Sequence, residues 1–391
     1  MAVSRCAFGL FCVITSLLIY AYGGFNFLLG LLTRLGRSRL LRDESFEPTV
    51  TIFIPAYNEE KVIAAKIENC RFIDYPQEKI EIMVCSDCSS DRTVEIARTC
   101  GQRGITVFDY RERAGKTGLI NKFLPQAKGE IIVMTDANTM LSPDALRRMI
   151  SCYYSKEIGG VLGYVKLSMP SGGRGMEQEI SYRKFEAQLK YKEGLFGSAI
   201  GGFGGFYSLR KECFTPLPHN AYSNDDLLIP MRILGKGWKV VFDPLAVSKE
   251  ETGITVSKEF RRRVRIGAGN FQAFFLLLRF LKPLRGWPFL FYVSHKVLRW
   301  FSPFLLLLFF LTNIVLATKT EPLFETICLL QCLFYGAALC GAVLSRFRIT
   351  IPLISAIYLF VSMNIALCFG FFRYFRGIKT AAWESTPRNQ V

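Results

Sequence analysis

The stretch Ile131-Ile132-Val133-Met134-Thr135-Asp136-Ala137-Asn138-Thr139 decides how this chain is read. Its apolar, β-branched run predicts a buried strand, and Asp136 at the end of that strand is delivered to the tip of a sheet, where an α/β domain presents a metal-bound diphosphate. The same arrangement recurs upstream, where Ile80–Cys85 runs into Ser86-Asp87-Cys88-Ser89-Ser90-Asp91. Downstream, Asp225-Asp226 opens the apolar run Leu227-Leu228-Ile229-Pro230-Met231. Three separated acidic sites within one polar segment point to chemistry.

Around these sites strand and helix patterns alternate. Val50–Pro55, Ile80–Cys85, Ile105–Phe108 and Ile131–Met134 read as strands; Glu59–Cys70, Thr93–Thr99, Lys116–Ala127 and Pro143–Tyr154 read as helices. Glu59 and Glu60 favour a helix start, where negative charge meets the positive end of the helix dipole. This rhythm predicts an α/β fold, a doubly wound and mostly parallel sheet whose ligands bind at the carboxyl ends of the strands.

Each strand end carries polar groups. Pro55-Ala56-Tyr57-Asn58-Glu59 sets a ring, on which a base could stack, beside hydrogen-bonding groups; a plain capped turn reads the same way. Asp87 and Asp91 flank small residues, the composition of an ordinary Asx turn as much as of a site. In Arg111-Glu112-Arg113-Ala114-Gly115-Lys116-Thr117-Gly118, two glycines permit close backbone approach and Arg113 and Lys116 offer cations at a helix start, which suits a phosphate. The spacing is not that of a P-loop, which excludes that class of nucleotide triphosphatase.

Charge-free windows flank this segment: Cys6–Thr33 before it, then Trp300–Thr318, Thr326–Ser345 and Ile349–Phe372. Each is long enough for a helical crossing, and the first is too long for a signal-peptide core. The net charge of +17 is concentrated beside these windows. Arg34, Arg37, Arg39 and Arg42 follow the first, and Ser257–Arg299 carries ten Lys or Arg against the single acid Glu259. Anionic lipid headgroups and the positive-inside rule account for such clusters better than nucleic acid does, and place the Glu44–Lys282 domain on the cytoplasmic side. Four crossings would leave Arg373, Arg376 and Lys379 outside, against the same rule. Either a fifth crossing lies in Trp287–Arg299 or one window does not span. Phe274, Phe275, Leu278 and Leu281 recur at helical spacing and predict an amphipathic helix in the membrane interface. The twelve cysteines show no disulfide spacing, and Cys85 and Cys88 read as reduced thiols. His219 and His295 are too few and too isolated to be metal ligands.

Pro55-Ala56-Tyr57-Asn58-Glu59, Asp87 with Asp91, Gly115-Lys116 with Asn121, Thr135-Asp136-Ala137-Asn138, Gly204-Gly205-Phe206-Tyr207, Asp225-Asp226 and the late arginine cluster occur in the order seen in glycosyltransferase family 2. Over roughly residues 48–275 the chain resembles the membrane-bound branch of that family, with its cellulose-, chitin- and hyaluronan-synthase-like enzymes. The resemblance implies a GT-A nucleotide-sugar domain working by inversion. It implies that Tyr57, Glu59, Asp87, Lys116, Asp136, Gly204, Gly205, Arg263 and Arg265 bind the nucleotide sugar and that Asp136 with Asn138 holds Mg²⁺ or Mn²⁺. Asp226 would be the general base, and Asp225 would serve the acceptor or the local network. The chemistry is consistent: a departing diphosphate needs a cation and arginines, and an attacking hydroxyl must lose its proton to a carboxylate. A retaining glycosidase needs two carboxyl groups flanking the bond, which the adjacent Asp225 and Asp226 do not provide.

Two positions depart from the family pattern. Asn138 can ligate through its carbonyl but adds no charge, which predicts weaker metal binding. Ile266 stands where the family's chain-forming enzymes carry a tryptophan platform, which argues against a processive polymerase. The expected organisation is an anchor and basic segment over 1–42, the GT-A domain over 43–270, an amphipathic region over 271–299, about three crossings over 300–372 and a polar tail over 373–391. The expected protein is a multi-pass membrane enzyme that transfers a sugar, the best candidate being the hexose of a UDP-hexose, to a lipid-linked or saccharide acceptor. A processive synthase exporting its polymer, and a non-catalytic membrane protein that binds a nucleotide sugar, are the alternatives.

Overall fold

The computed structural model describes residues 2–36, 40–101, 104–168, 177–219, 221, 224–251, 256–318, 322–347 and 349–377. Arg37, Arg39, Lys379 and the end of the polar tail lie outside them. The chain forms two compact units, one from residues 29–254 and 272–291, the other from 1–28, 255–271 and 292–377.

The first unit is built on an eight-stranded mixed sheet. Its strands are β1 (Val50–Ala56), β2 (Ile80–Asp87), β3 (Ile105–Tyr110), β4 (Ile131–Thr135), β5 (Thr139–Leu141), β6 (Ile158–Ser168), β7 (Phe206–Arg210) and β8 (Lys239–Glu251). Their order is β3-β2-β1-β4-β7-β6-β8-β5. The first four are parallel, with Ile52 opposite both Ile82 and Val133. Helices Ile63–Arg71, Thr93–Thr99 and Gly115–Phe123 return the chain between these strands. Because both faces are covered, β1 and β4 are buried throughout, and continuous apolar runs are what such strands require.

Beyond β4 the pairing changes. β7 runs antiparallel to both β4 and β6, β8 pairs parallel with β6, and the short β5 closes the edge antiparallel to β8. Four of the seven strand pairings are parallel, so the sheet is mostly parallel as expected, with the antiparallel pairings at β7 and at the β5 edge. A register shift at Gly163/Tyr164 lets β6 and β8 bend past each other. Gly163 is required there, since a Cβ would lie 2.3 Å from the Phe206 ring.

The second unit is helical. Arg5–Leu35, which begins in it and continues into the first unit, Pro322–Arg346 and Pro352–Phe375 are long and apolar enough to cross a membrane. Trp287–Trp300 and Ser302–Ala317 reach that length only as a pair bent by 61°. The window expected over Trp300–Thr318 is thus one arm of a broken element, with Pro303 in the first turn of the second arm, where no backbone donor is needed. Phe11 stacks on Phe309 with ring centroids 5.0 Å apart, and a Cβ on Gly370 would lie 2.7 Å from the Ala268 backbone nitrogen. Such small-residue contacts let helix backbones approach where lipid offers no hydrophobic drive. The stretch predicted as one amphipathic helix is interrupted: a helix ends at Leu276, 3-10 turns cover Leu278–Leu281 and Pro283–Arg285, and Trp287–Phe291 restarts. Pro283, Gly286 and Pro288 account for the breaks.

Candidate active site

The carboxyl ends of β1, β2 and β4, with the turns that follow them, supply one side of the site. At the end of β2, Asp87 is fully buried. One carboxylate oxygen accepts from the Ala114 amide at 2.8 Å, the Gly115 amide lies 3.1 Å from the other, and Arg113 pairs with it at 3.5 Å. Gly115, with φ +73°, opens the helix in a conformation that side chains resist. Of the groups expected to suit a phosphate, Arg113 and the Gly115 backbone are thus engaged by Asp87. Arg113 also lies over the Tyr57 ring, its guanidinium carbon 3.2 Å from the centroid. The loops after β1 and β2 are tied together by Glu59 N to Thr93 Oγ1 at 2.7 Å and Glu60 N to Asp91 Oδ2 at 3.1 Å. Tyr57, Arg113 and Asp87 therefore form one layer.

The second group converges on Lys116. Its Nζ lies 3.0 Å from Asp136 Oδ1, 3.1 Å from Asp225 Oδ2 and 3.3 Å from the Gly204 carbonyl. Burial works against the charge on Lys116, but Asp136, Asp225 and Asp226 outweigh it and hold its pKa above the usual lysine range. Tyr207, from β7, donates to Asp225 Oδ2 at 2.6 Å. Burial first, and Asp225 second, push the Tyr207 pKa well above that of an ordinary phenol, so it remains a donor.

Asn224, with φ +68°, makes the left-handed turn into helix Asp225–Gly235, and the two acids at that helix start differ in surroundings. Asp225 is buried, whereas Asp226 is half-buried beside the glycine loop. Gly202 N donates to the Asp226 carbonyl at 2.8 Å. A Cβ on Gly202 would lie 3.7 Å from Asp226 Oδ2, and one on Gly204 4.0 Å from it. Gly205 is needed for another reason: its Cβ would meet Thr139 Oγ1 at 2.6 Å.

Tyr57, Glu59, Asp87, Lys116, Asp136, Asn138, Gly204, Gly205, Asp225 and Asp226 all belong to the sheet-bearing unit. Arg263 and Arg265 lie on helix Val256–Leu276, in the part of it that belongs to the helical unit, and are half-buried. Among the described residues no group of three or more His, Cys, Asp or Glu could hold a metal by itself. The donors present still fit a divalent ion. Asp136 and Asn138 provide hard oxygens, and Asp136 and Asp225 share one ammonium, so a further cation completed by ligand phosphates suits the charge.

Two contributors lack a role in the sequence reading. Tyr207, the second residue of β7, stands in the quoted Gly204–Tyr207 motif without a function assigned to it, and Lys66 lies on the apolar face of its helix, where a lysine among Ile63, Ile67 and Cys70 was the available signal.

Residues 51–213 match the family model Glycosyl transferase family 2. Over those residues, from β1 to just beyond β7, the chain is similar to family 2 glycosyltransferases. The chain is 25% identical over 227 residues to poly-β-1,6-N-acetyl-D-glucosamine synthase of Staphylococcus aureus, covering 57% of this chain and 55% of the relative. It is 31% identical over 153 residues to β-monoglucosyldiacylglycerol synthase of Trichormus variabilis, covering 35% of this chain and 33% of the relative. The chain thus spans about half the length of the first relative and a third of the second. Among solved structures, the mannosyltransferase PcManGT of Pyrobaculum calidifontis, in complex with GDP-Man and Mn²⁺, superposes with a TM-score of 0.72 at 20% identity. That likeness covers 94% of this chain and 99% of the other, and establishes a shared GT-A fold.

Proposed function

We propose that the chain is a membrane-bound, metal-dependent, inverting glycosyltransferase that moves a sugar, a hexose carried on UDP, to a lipid or saccharide acceptor. The observation that carries this reading is the meeting of Asp136, Asp225 and Gly204 on Lys116, with Asp226 beside the same glycine loop. It joins a place for a diphosphate to a place for a base.

In the proposed reaction the acceptor hydroxyl oxygen forms a bond to the anomeric carbon while the bond from that carbon to the diphosphate oxygen breaks. The hydroxyl proton passes to Asp226, and the electron pair leaves with the nucleoside diphosphate. Tyr57 would lie beside the base, and the Asp87 layer, with Glu59 in the adjoining loop, would shape that end of the pocket. Asp136 and the Asn138 carbonyl would hold Mg²⁺ or Mn²⁺, which would neutralise charge on the leaving group when bound. Lys116 supplies positive charge beside it, and Arg263 and Arg265 are assigned to the same leaving diphosphate from the family pattern. Gly204 and Gly205 would shape the donor and acceptor pocket, an assignment that comes from the family pattern.

The named relatives make a polysaccharide and a glycolipid, which supports assembly of one of these two product classes. Ile266 offers no flat stacking surface, so products are expected to stay short and to be released between additions. Long polymer without intermediates would favour the processive synthase instead. The arginines after the first span, including Arg34 and Arg42, support a multi-pass protein with its sheet domain in the cytoplasm. An impermeant thiol reagent should then miss Cys88 in intact cells and reach it after lysis; labelling before lysis would reverse the orientation.

The test of the function is incubation of detergent-purified protein with a panel of nucleotide sugars, Mn²⁺ and lipid or saccharide acceptors, followed by identification of the released nucleotide. Release of UDP with a glycosylated product is expected. Binding without any transfer or hydrolysis would leave a non-catalytic nucleotide-sugar binder.

A further inference from the structure

Lys66 is fully buried, on a helix face whose neighbours Ile63, Ile67 and Cys70 are also buried. Packing alone does not call for an ammonium there, because an apolar side chain of similar length would fill the same space without losing hydration. The ammonium has a defined use. Lys66 Nζ donates to Thr135 Oγ1 at 2.9 Å and to the Thr139 carbonyl. Thr135 is the last residue of β4 and Thr139 the first of β5, so one cation bridges the two ends of the turn Asp136-Ala137-Asn138. Two backbone contacts also hold the turn: Asp136 N reaches the Gly205 carbonyl at 3.4 Å, and within the turn Thr139 N donates to the Asp136 carbonyl at 3.1 Å.

We infer that Lys66 is a positioning residue for the donor site, a buried clamp that fixes the span of the 136–138 turn and so the direction in which Asp136 and Asn138 present their oxygens. It touches neither donor nor acceptor. Its effect falls on metal and diphosphate binding rather than on proton removal, which belongs to the other wall of the site. The inference rests on the reading of Asp136 as a ligand of a metal-bound diphosphate.

The distinguishing measurement is binding of UDP, and separately GDP, to the full-length purified protein by calorimetry with and without Mn²⁺, alongside donor and acceptor kinetics. Lys66→Met keeps the length and apolar stem but removes the donors. It should weaken Mn²⁺-dependent nucleotide binding by about 10- to 100-fold, the usual range for groups that orient metal ligands. The KM for donor should rise, while the KM for acceptor stays within about twofold of the original, a split that general loosening of the fold would not produce. Should Lys66→Met fail to fold, Thr135→Val, which removes one acceptor and keeps the lysine, should still weaken Mn²⁺-dependent binding, by about tenfold or less. A folded Lys66→Met, or in its absence Thr135→Val, that binds as the original protein does while Asp136→Ala does not would overturn the clamp and leave the donor site intact. Unchanged binding in Asp136→Ala, or no Mn²⁺-dependent binding of either nucleotide by the original protein, would overturn both.

Discussion

At the end of β2, Asp87 is closed by Arg113, the Ala114 amide and the Gly115 amide, where the loop enters helix Gly115–Phe123. Across β4, Asp225 is held by a phenol from β7 and by an ammonium that Asp136 also uses. The two buried acids therefore differ in how they are stabilised. The first is satisfied by groups fixed in the backbone and by a cation that also covers Tyr57, which makes a rigid wall. The second shares a lysine side chain held by oxygens of Asp136, Asp225 and Gly204. In the proposed function the first would supply shape for recognition and the second charge to meet a ligand's phosphates, and the experiments below separate these roles.

The largest effect is expected at the shared strand. Asp136→Ala should abolish transfer at any concentration of Mg²⁺ or Mn²⁺, and chelation of the original protein should do the same until metal is restored. Asn138→Asp should keep activity or tighten metal binding, because it adds a charge to the pair. Full transfer in excess chelator would remove the metal from the scheme and leave Lys116 as the local countercharge.

Next in size is Asp226→Asn, which preserves shape and much of the capping at the helix start but cannot accept a proton. Transfer should fall by roughly 10²- to 10⁴-fold with nucleotide binding retained. Asp225→Asn is the control, since Asp225 is buried on Tyr207 and Lys116 while Asp226 lies by the glycine loop. If Asp225→Asn eliminates turnover and Asp226→Asn does not, the base is Asp225. If both remain active, the two acids serve only the helix start, where negative charge is worth about 0.3–1 kcal/mol.

The same division explains what could be read from the sequence. β1, β2 and β4 stand out because burial on both faces leaves largely apolar runs such as Val50–Ile54 and Ile131–Met134, and the half-buried β3 by its Ile105, Val107 and Phe108. β6, β7 and β8 do not. β6 contains Gly159, Gly160 and Gly163, whose bare α-carbons make room for side chains from elsewhere in the chain, among them Ile233 and Phe206. β7 carries Tyr207 and Ser208, polar residues tolerated in the interior because Asp225 and Tyr153 complete their hydrogen bonds. β8 is interrupted by Asp243 and Pro244, with Asp243 paired to Arg42 at 3.0 Å. Each of these strands depends on partners distant in sequence, so local composition does not announce it. In the site, acids at strand ends were visible for the same reason as the strands, whereas the Lys116 meeting point and the Lys66 bridge arise only when separate elements come together.

The smallest effect tests that long-range dependence at one hydrogen bond. Tyr207→Phe removes the hydroxyl from Asp225 and leaves the ring in the core. A hydrogen bond to a charged group contributes about 1.5–3 kcal/mol, and Lys116 remains on Asp225 to offset part of its loss, so a stability decrease near the low end is expected. The pH dependence gives the sign. Because burial and Asp225 raise the Tyr207 pKa above its unfolded value, the folded state keeps that proton while the unfolded chain releases it near pH 10. The stability contributed by this proton is fully present below that pH and is lost as pH rises through the folded-state value. Denaturant unfolding of the two proteins should therefore differ at neutral pH and converge under strongly alkaline conditions. A constant difference across that window would show that the hydroxyl acts through packing, and that Asp225 depends on Lys116 alone.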